Sequence, residues 1–156
     1  MKKKIYNPQP LTLTEGYFSD KQYSGYEMMS ESINNWKQLC PYQLRPNGLS
    51  GRHQVLQLHS MQIAYAHRKG GTMHNAGSAK DSFTIAVVEA CADKACYGDL
   101  KLQTGDILFF DDSHPHNFVT NESIQFIVVT IHKSSLGSRR AKLSKALDLC
   151  LSLIHI

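Results

Sequence analysis

The stretch from Leu102 to Phe118, LQTGDILFFDDSHPHNF, decides the fold class of this chain. A Gly-Asp turn precedes a wholly apolar run, Ile107–Phe110, which ends in a polar corner with a histidine on each side of Pro115. A second run, Ile124–His132 (IQFIVVTIH), follows and is rich in the β-branched residues that favour strands. Turn, strand, proline-broken corner and strand are the order in which a small antiparallel barrel is built.

The preceding residues add more short strands of the same kind. His53–His59, Met61–Arg68 and Phe83–Ala90 carry strong strand patterns, the first two with apolar and polar residues in alternation. Another short strand is expected around Thr72–Asn75, and the glycine of Tyr97-Gly98-Asp99 indicates a hairpin turn. No helix pattern separates these strands, so a sandwich or barrel is favoured over a parallel βαβ arrangement.

Helical spacing occurs only on the two sides of this strand region. Residues 1–24 are predicted to be extended and loop-like. Apolar residues from Tyr26 to Leu39 recur with helical spacing, which predicts a helix that Pro41 ends, followed by a loop to Gly51. A second helical stripe begins after Ser138. Its apolar members are Leu143, Ala146, Leu147, Cys150 and Ile154.

The chain is therefore divided into residues 1–52 (N-terminal arm, helix and loop), 53–136 (barrel) and 137–156 (C-terminal linker and helix). An isolated helix of this kind is marginally stable, so the C-terminal one needs a partner surface. The apolar ending LCLSLIHI is typical of read-through from cloning or sequencing. The last residues are therefore expected to be in part non-native.

Composition indicates one globular domain. The chain has 156 residues, 42% of them hydrophobic and 19% charged, which is enough for a proper core and argues against disorder. No apolar stretch approaches the roughly 20 residues that span a bilayer. The basic start MKKKIYNPQP lacks the apolar segment of a secretory signal. The net charge of +4 is scattered and indicates mainly solvated surface.

The cysteines point to a reduced, cytoplasmic protein. None of them forms a C-x-x-C motif, which makes a zinc site improbable, and buried thiols fit best. The four are Cys40, Cys91, Cys96 and Cys150.

The order and spacing of four segments resemble a known regulator family. These segments are MQIAYAHR (61–68), FTIAVVEACAD (83–93), YGDLKLQTGDILFFDDSHPHNF (97–118) and IQFIVVTIHKSSL (124–136). Together they resemble the N-terminal, cupin-like domain of AraC/XylS-type transcriptional regulators. The resemblance covers about half of the chain and implies a small antiparallel jelly-roll barrel. One helix would precede this barrel and one or two would follow it.

The resemblance also implies a function. In that family the barrel senses a small effector or mediates dimerisation, and so controls a separate DNA-binding domain with two helix-turn-helix motifs. That domain is absent from this chain, so contact with DNA is expected only through it. We accordingly expect a non-enzymatic regulatory domain without a cofactor or a membrane partner. It would form a homodimer through Leu143, Leu147 and Cys150 of the C-terminal helix.

Alternation along the strands suggests which residues line a ligand pocket. The candidates are Tyr65, His67, Phe83, Ile85, Val87, Phe109 and His116. Alternation separates two faces of a strand but does not say which face points inward. With the faces reversed, Arg68 would point inward and pair with an acidic effector. The other alternative is a closed core, since side chains often fill small barrels.

A metal-dependent cupin enzyme, such as a dioxygenase or an isomerase, is the second hypothesis. His114 and His116 would supply one or two ligands, and His67 or His74 another. Against it, no H-x-H motif is followed by a glutamate, and Pro115 interrupts the strand that two same-face histidines require.

Nucleophilic catalysis has even less support. The chain contains no G-x-S-x-G motif, and its cysteines lie in apolar contexts typical of inert core thiols. Asp111 and Asp112 are neighbours at a strand end and point apart, so they do not form a catalytic pair. Asp111 is expected to accept backbone hydrogen bonds at the corner. No catalytic residue and no metal ligand is therefore assigned.

Overall fold

The computed structural model describes residues 15–25, 27–29, 39–43, 48–92, 95–112 and 116–139, with the backbone alone at 39–43, 74–76, 116, 138 and 139. Within these ranges the chain forms eleven strands and one short 3-10 helix, Lys133–Arg139. The strands are β1 (Phe18–Ser24), β2 (Leu39–Gln43), β3 (Ser50–Leu58), β4 (Met61–Lys69), β5 (Thr72–Ala76), β6 (Ser82–Cys91), β7 (Cys96–Tyr97), β8 (Leu100–Lys101), β9 (Ile107–Asp111), β10 (His116–Thr120) and β11 (Ser123–His132).

The strands form two antiparallel sheets. The first sheet has the order β1-β3-β4-β11-β6-β9 and the second has the order β2-β5-β10-β7-β8. Four strand pairs are nested along the chain, namely β4 with β11, β5 with β10, β6 with β9 and β7 with β8. These pairs alternate between the sheets, as in a two-stranded ribbon wound into a jelly roll. The mainly β fold class is confirmed, but the described strands leave two open sheets rather than one closed barrel.

The core lies between the two sheets. The first sheet contributes small and branched residues from alternate positions of β4 and β6, and aromatic rings join them from both sheets. The ring of Phe118 on β10 meets the ring of Phe126 on β11 edge-on, with centroids 5.2 Å apart. The buried cluster is Val55, Ala64, Ala86, Val88, Ala95, Tyr97, Leu102, Leu108, Phe118, Ile124, Phe126 and Val128.

Most of the predicted strands are confirmed, including the short one around residue 72 and the hairpin at Gly98. Three others, β1, β2 and β10, are missing from the sequence analysis. β1 falls in the segment predicted to be loop, because its residues FSDKQYS are mostly polar at the edge of the sheet. β10 begins at His116, directly at the proline corner. The whole of β1 pairs with β3, so the first sheet starts before the barrel range 53–136.

The N-terminal helix prediction was partly wrong. Glu27–Met29 is helical, but Leu39, the last residue of the predicted apolar stripe, opens strand β2. Spacing of apolar residues cannot distinguish a helix from two short segments that happen to share its period. Residues 30–38 lie outside the described ranges. So do the predicted C-terminal helix and its dimerisation residues Leu143, Leu147 and Cys150.

Among the parts of the chain that the structure describes, no helix has the length and apolar character needed to cross a membrane.

Candidate functional site

The face of the first sheet that points into the core is not the face that carries the predicted pocket residues. On β4 the buried residues are Gln62, Ala64, Ala66 and Arg68, whereas Tyr65 and His67 are half-buried on the outer face. There the Tyr65 hydroxyl lies 3.3 Å from Oε1 of Gln125, and His67 Nε2 lies 3.3 Å from the Ser123 hydroxyl.

The other pocket candidates share this outward direction. Ile85, Val87 and Phe109 are outer-face residues of β6 and β9. Phe83 is buried, but on the outer side, where Lys133 Nζ lies 5.0 Å from the centre of its ring. The backbone of His116 pairs opposite Ala76, and its side chain lies outside the described part. The assumed face was therefore wrong for six of the seven candidates, and the reversed alternative, with Arg68 inside, is the one observed.

Three polar side chains gather at one end of the interior, and we call them the Arg68 cluster: Tyr23, His53 and Arg68. Each is only 5% exposed. The register places Tyr23 opposite Gly51 and Gly51 opposite Arg68, so these residues of β1, β3 and β4 share one face. His53 lies two residues along β3 on the same face.

Gly51 makes room for this cluster. A Cβ atom at this position would overlap the carbonyl oxygen of His67 and the hydroxyl of Tyr23. The phenol of Tyr23 therefore occupies the space where a side chain would otherwise stand. Its hydroxyl donates a hydrogen bond to the His67 carbonyl, 3.2 Å away. Tyr23 also packs with Met29 and Leu49 in a small second core.

The electrostatics of the cluster centre on a buried cation. Burial lowers the pKa of Arg68, while the charge interaction and the hydrogen bond with Tyr23 raise it. Burial in turn raises the pKa of Tyr23 above its ordinary value, so the phenol is neutral at pH 7. An arginine keeps its charge in proteins even when it is buried. The oxygen of the neutral Tyr23 phenol therefore accepts a hydrogen bond from a charged guanidinium.

The opposite end of the interior is polar too, but its groups hydrogen-bond one another. Thr84 on β6 joins Ser78 and Thr130 through hydroxyl contacts of 2.8 and 3.0 Å. Nε2 of Gln62 donates to Oε1 of Gln57 at 3.1 Å. These contacts connect strands of the first sheet with the segment before β6, so their role is structural.

The metal hypothesis finds no supporting cluster among the described residues. No group of three or more histidine, cysteine, aspartate or glutamate side chains in this part of the chain is placed to hold a metal ion. His114 lies outside the described ranges, and the side chains of His74 and His116 lie outside them too. At the corner after β9, Asp112 accepts a hydrogen bond from the Asp81 backbone at 2.7 Å and forms an ion pair with Lys133.

Sequence reasoning missed two members of the Arg68 cluster. His53 was recognised as a strand residue, and its alternation with Val55 and Gln57 was a usable signal for the inward face. Tyr23 gave no such signal, because its strand was predicted to be loop.

Similar folds occur among solved structures. One is the EutQ protein of Clostridium difficile, with a TM-score of 0.43 and 14% identity over 58% of this chain and 75% of that one. A cupin 2 conserved barrel domain protein of Rhodopseudomonas palustris has a TM-score of 0.41 and 12% identity, over 58% and 68%. An HTH_3-family transcriptional regulator of Vibrio cholerae has a TM-score of 0.40 and 14% identity; about half of each chain, 51%, is covered. These similarities concern the fold alone.

Neither a protein-family model nor a curated protein matches the sequence.

Proposed function

We propose that this chain is the regulatory domain of an AraC-type transcriptional regulator, which binds a small acidic effector at the Arg68 cluster and controls a DNA-binding domain downstream. The supporting observation is the buried guanidinium of Arg68 between the sheets, which donates a hydrogen bond to a neutral phenol. Water does not compete for a buried guanidinium, so its charge-assisted hydrogen bonds are strong and favour a ligand with a negative charge. A planar carboxylate also matches the two-pronged donor geometry of arginine.

The position of Tyr23 supplies a route from binding to signalling. Tyr23 belongs to β1, which among the described strands lies at the edge of the first sheet and pairs with β3 alone. An effector that hydrogen-bonds the Arg68 guanidinium in place of Tyr23 displaces the phenol. Strand β1 and Met29, which packs against Tyr23, then move with it. The domain then shifts between two arrangements because the effector binds one of them better. In this proposal the residues of the cluster bind and reposition, and none of them catalyses a reaction.

Thermal unfolding with small carboxylic acids tests the binding step. A carboxylate present at about 100 times its Kd adds about 2.7 kcal/mol of stability, or several degrees of melting temperature for a chain of this size. The matching amides, which lack the charge, should give no shift. The variant Arg68→Gln should lose the shift. Arg52→Gln is the matched control, because Arg52 lies on the outer face in an ion pair with Asp20.

Two further measurements decide between the alternatives. If Arg68→Gln does not fold, Arg68→Lys replaces it, because lysine keeps the charge but lacks the planar pair of N–H donors. This variant should bind the carboxylate at least about 10-fold more weakly. A reporter that joins this domain to an AraC-type DNA-binding domain should respond to the same acid. Shifts of equal size in Arg68→Lys and the parent would contradict the site. Stoichiometric iron, nickel or zinc, lost in His114→Ala and His116→Ala, would instead support the metal-dependent enzyme.

A further inference from the structure

The outer face of the first sheet carries an unbroken row of apolar residues. Direct register pairs connect one residue from each of the six strands. The row is Phe18, Leu56, Ile63, Val129, Ile85 and Phe109. An antiparallel sheet with one face in water normally places polar residues on that face. This row departs from that pattern across the full width of the sheet.

The neighbouring positions extend the row into a surface, which we call the outer apolar face. On one side the register connects Tyr65, Ile127, Val87 and Ile107. Exposure is high at both ends of the sheet, at 62% for Phe18 and 55% for Ile107. It is 40% for Ile127 in the middle. Contiguous apolar patches of this kind mark contact sites rather than ordinary surface.

The size of the face fits a second copy of the chain. With strands about 4.8 Å apart and a rise of about 3.4 Å per residue, the patch measures roughly 30 Å by 20 Å including side chains. Its projected area of about 600 Å² is most of the roughly 800 Å² that each partner buries in a standard interface.

The charges around the face also favour a second copy. Arg52 lies on the same face of β3 and is neutralised by Asp20, with Nε 2.8 Å from Oδ1. Lys133, which covers Phe83, is neutralised by Asp112. These rim charges are paired within one chain, so two copies can approach in spite of a net charge of +4 each. A nucleic acid or an anionic membrane would instead be attracted by cations without a neighbouring carboxylate, and neither Arg52 nor Lys133 is such a cation.

We propose that two copies of this chain dimerise by stacking their outer apolar faces, sheet on sheet. A two-fold axis that lies between the two faces and runs parallel to the row brings the same residues of both copies together. This is the self-complementary arrangement of a symmetric dimer. The two sheets lie about 10 Å apart, with strands crossing at about 30°. This interface uses the side of the first sheet that faces away from the Arg68 cluster, and its test needs no effector.

Light scattering coupled to size exclusion tests the interface on the full 156-residue chain. The expected mass is twice 17.5 kDa, or 35 kDa. Ile127→Glu and Ile107→Glu place a charge in the face at positions that are already exposed, so folding is retained. Each should raise the dimer dissociation constant by at least about 100-fold, because a buried unpaired charge is costly. The control is Leu100→Glu, at an equally exposed apolar position, 44%, in the second sheet.

Circular dichroism melts of the three variants confirm that all are folded before their masses are compared. The proposal is overturned if the parent chain remains a monomer at a protein concentration of about 100 μM, which is about 10 times that of routine sizing. It is equally overturned if Leu100→Glu dissociates the dimer as strongly as Ile127→Glu. A dimer that survives both face variants but is lost in Leu143→Asp and Leu147→Asp would place the interface in the C-terminal segment instead.

Discussion

Gly51 shows how one missing side chain shapes the interior. Its φ is not in the left-handed region, so glycine is required here for space rather than for backbone conformation. The space is taken by the phenol of Tyr23, which reaches across β3 to the His67 carbonyl. The position of β1 against Arg68 therefore depends on the absence of a Cβ atom on the neighbouring strand.

Gly51→Ala should destabilise the domain by about 1–3 kcal/mol, the usual cost of overpacking a filled site. The added methyl group meets a backbone oxygen, which cannot move away as a side chain can. Urea denaturation measures the change. Ser50→Ala, one residue earlier on the opposite face, is the control and should stay within about 0.5 kcal/mol of the parent. A Gly51→Ala variant as stable as the control would show that Tyr23 does not occupy this space.

Strand β6 is held to its neighbours by hydroxyl groups as well as by its ladder. Thr84 lies directly opposite Thr130 on β11, and its hydroxyl also meets that of Ser78. All three residues are buried, so Thr84 supplies a hydrogen-bond partner inside the core to both neighbouring hydroxyls. Threonine suits this position because it has the branched shape of a strand residue together with a donor and acceptor.

Thr84→Val keeps the shape of the side chain and removes the hydroxyl. The expected loss is about 1–3 kcal/mol, because buried hydroxyls of Ser78 and Thr130 lose a partner. The double variant Thr84→Val with Thr130→Val should recover part of this loss, since replacing both partners by apolar groups is nearly neutral. Denaturant midpoints of the three variants give the comparison. Losses that simply add in the double variant would mean that the hydroxyls act independently.

The two sheets of the molecule are joined through their shared core rather than through continuous strands. Phe118 from the second sheet and Phe126 from the first form an edge-on ring pair at the centre of this contact, 6% exposed or less. The wound ribbon brings them together, since β10 and β11 are consecutive strands that lie in different sheets. Loss of either ring loosens one sheet from the other.

Phe118→Leu and Phe126→Leu, measured singly and together, should show a coupling free energy of about 0.5–1.5 kcal/mol, the value of an aromatic pair beyond its buried area. Equilibrium unfolding in urea supplies the three differences. The comparison pair is Phe118 with Phe18, an exposed residue of the outer apolar face, whose changes should add to within about 0.5 kcal/mol. Equal coupling in both pairs would argue against a specific ring contact between the sheets.

Local sequence was sufficient to predict most of the strands. Period-two alternation and turn residues marked the strands at Met61–Lys69 and Ser123–His132 almost to their ends. It failed at β1, where a polar edge strand carries no local apolar signal because the pairing comes from β3. It failed again at Leu39, where apolar spacing of a helical period runs into a strand.

The candidate site required the tertiary structure, because alternation is symmetric between the two sides of a strand. On β4 one face carries Tyr65 and His67, and the other carries Ala66 and Arg68. Both patterns are equally regular, and the first pair carries more of the chemistry associated with binding. The small residues were the ones buried, since the second sheet packs against that side and fills it with Phe118 and Tyr97. Sequence thus determined that these strands have two distinct faces and where each strand lies. Only the packing of one sheet on the other decided which face is inside, and with it that the guanidinium of Arg68 rather than the imidazole of His67 lies in the interior.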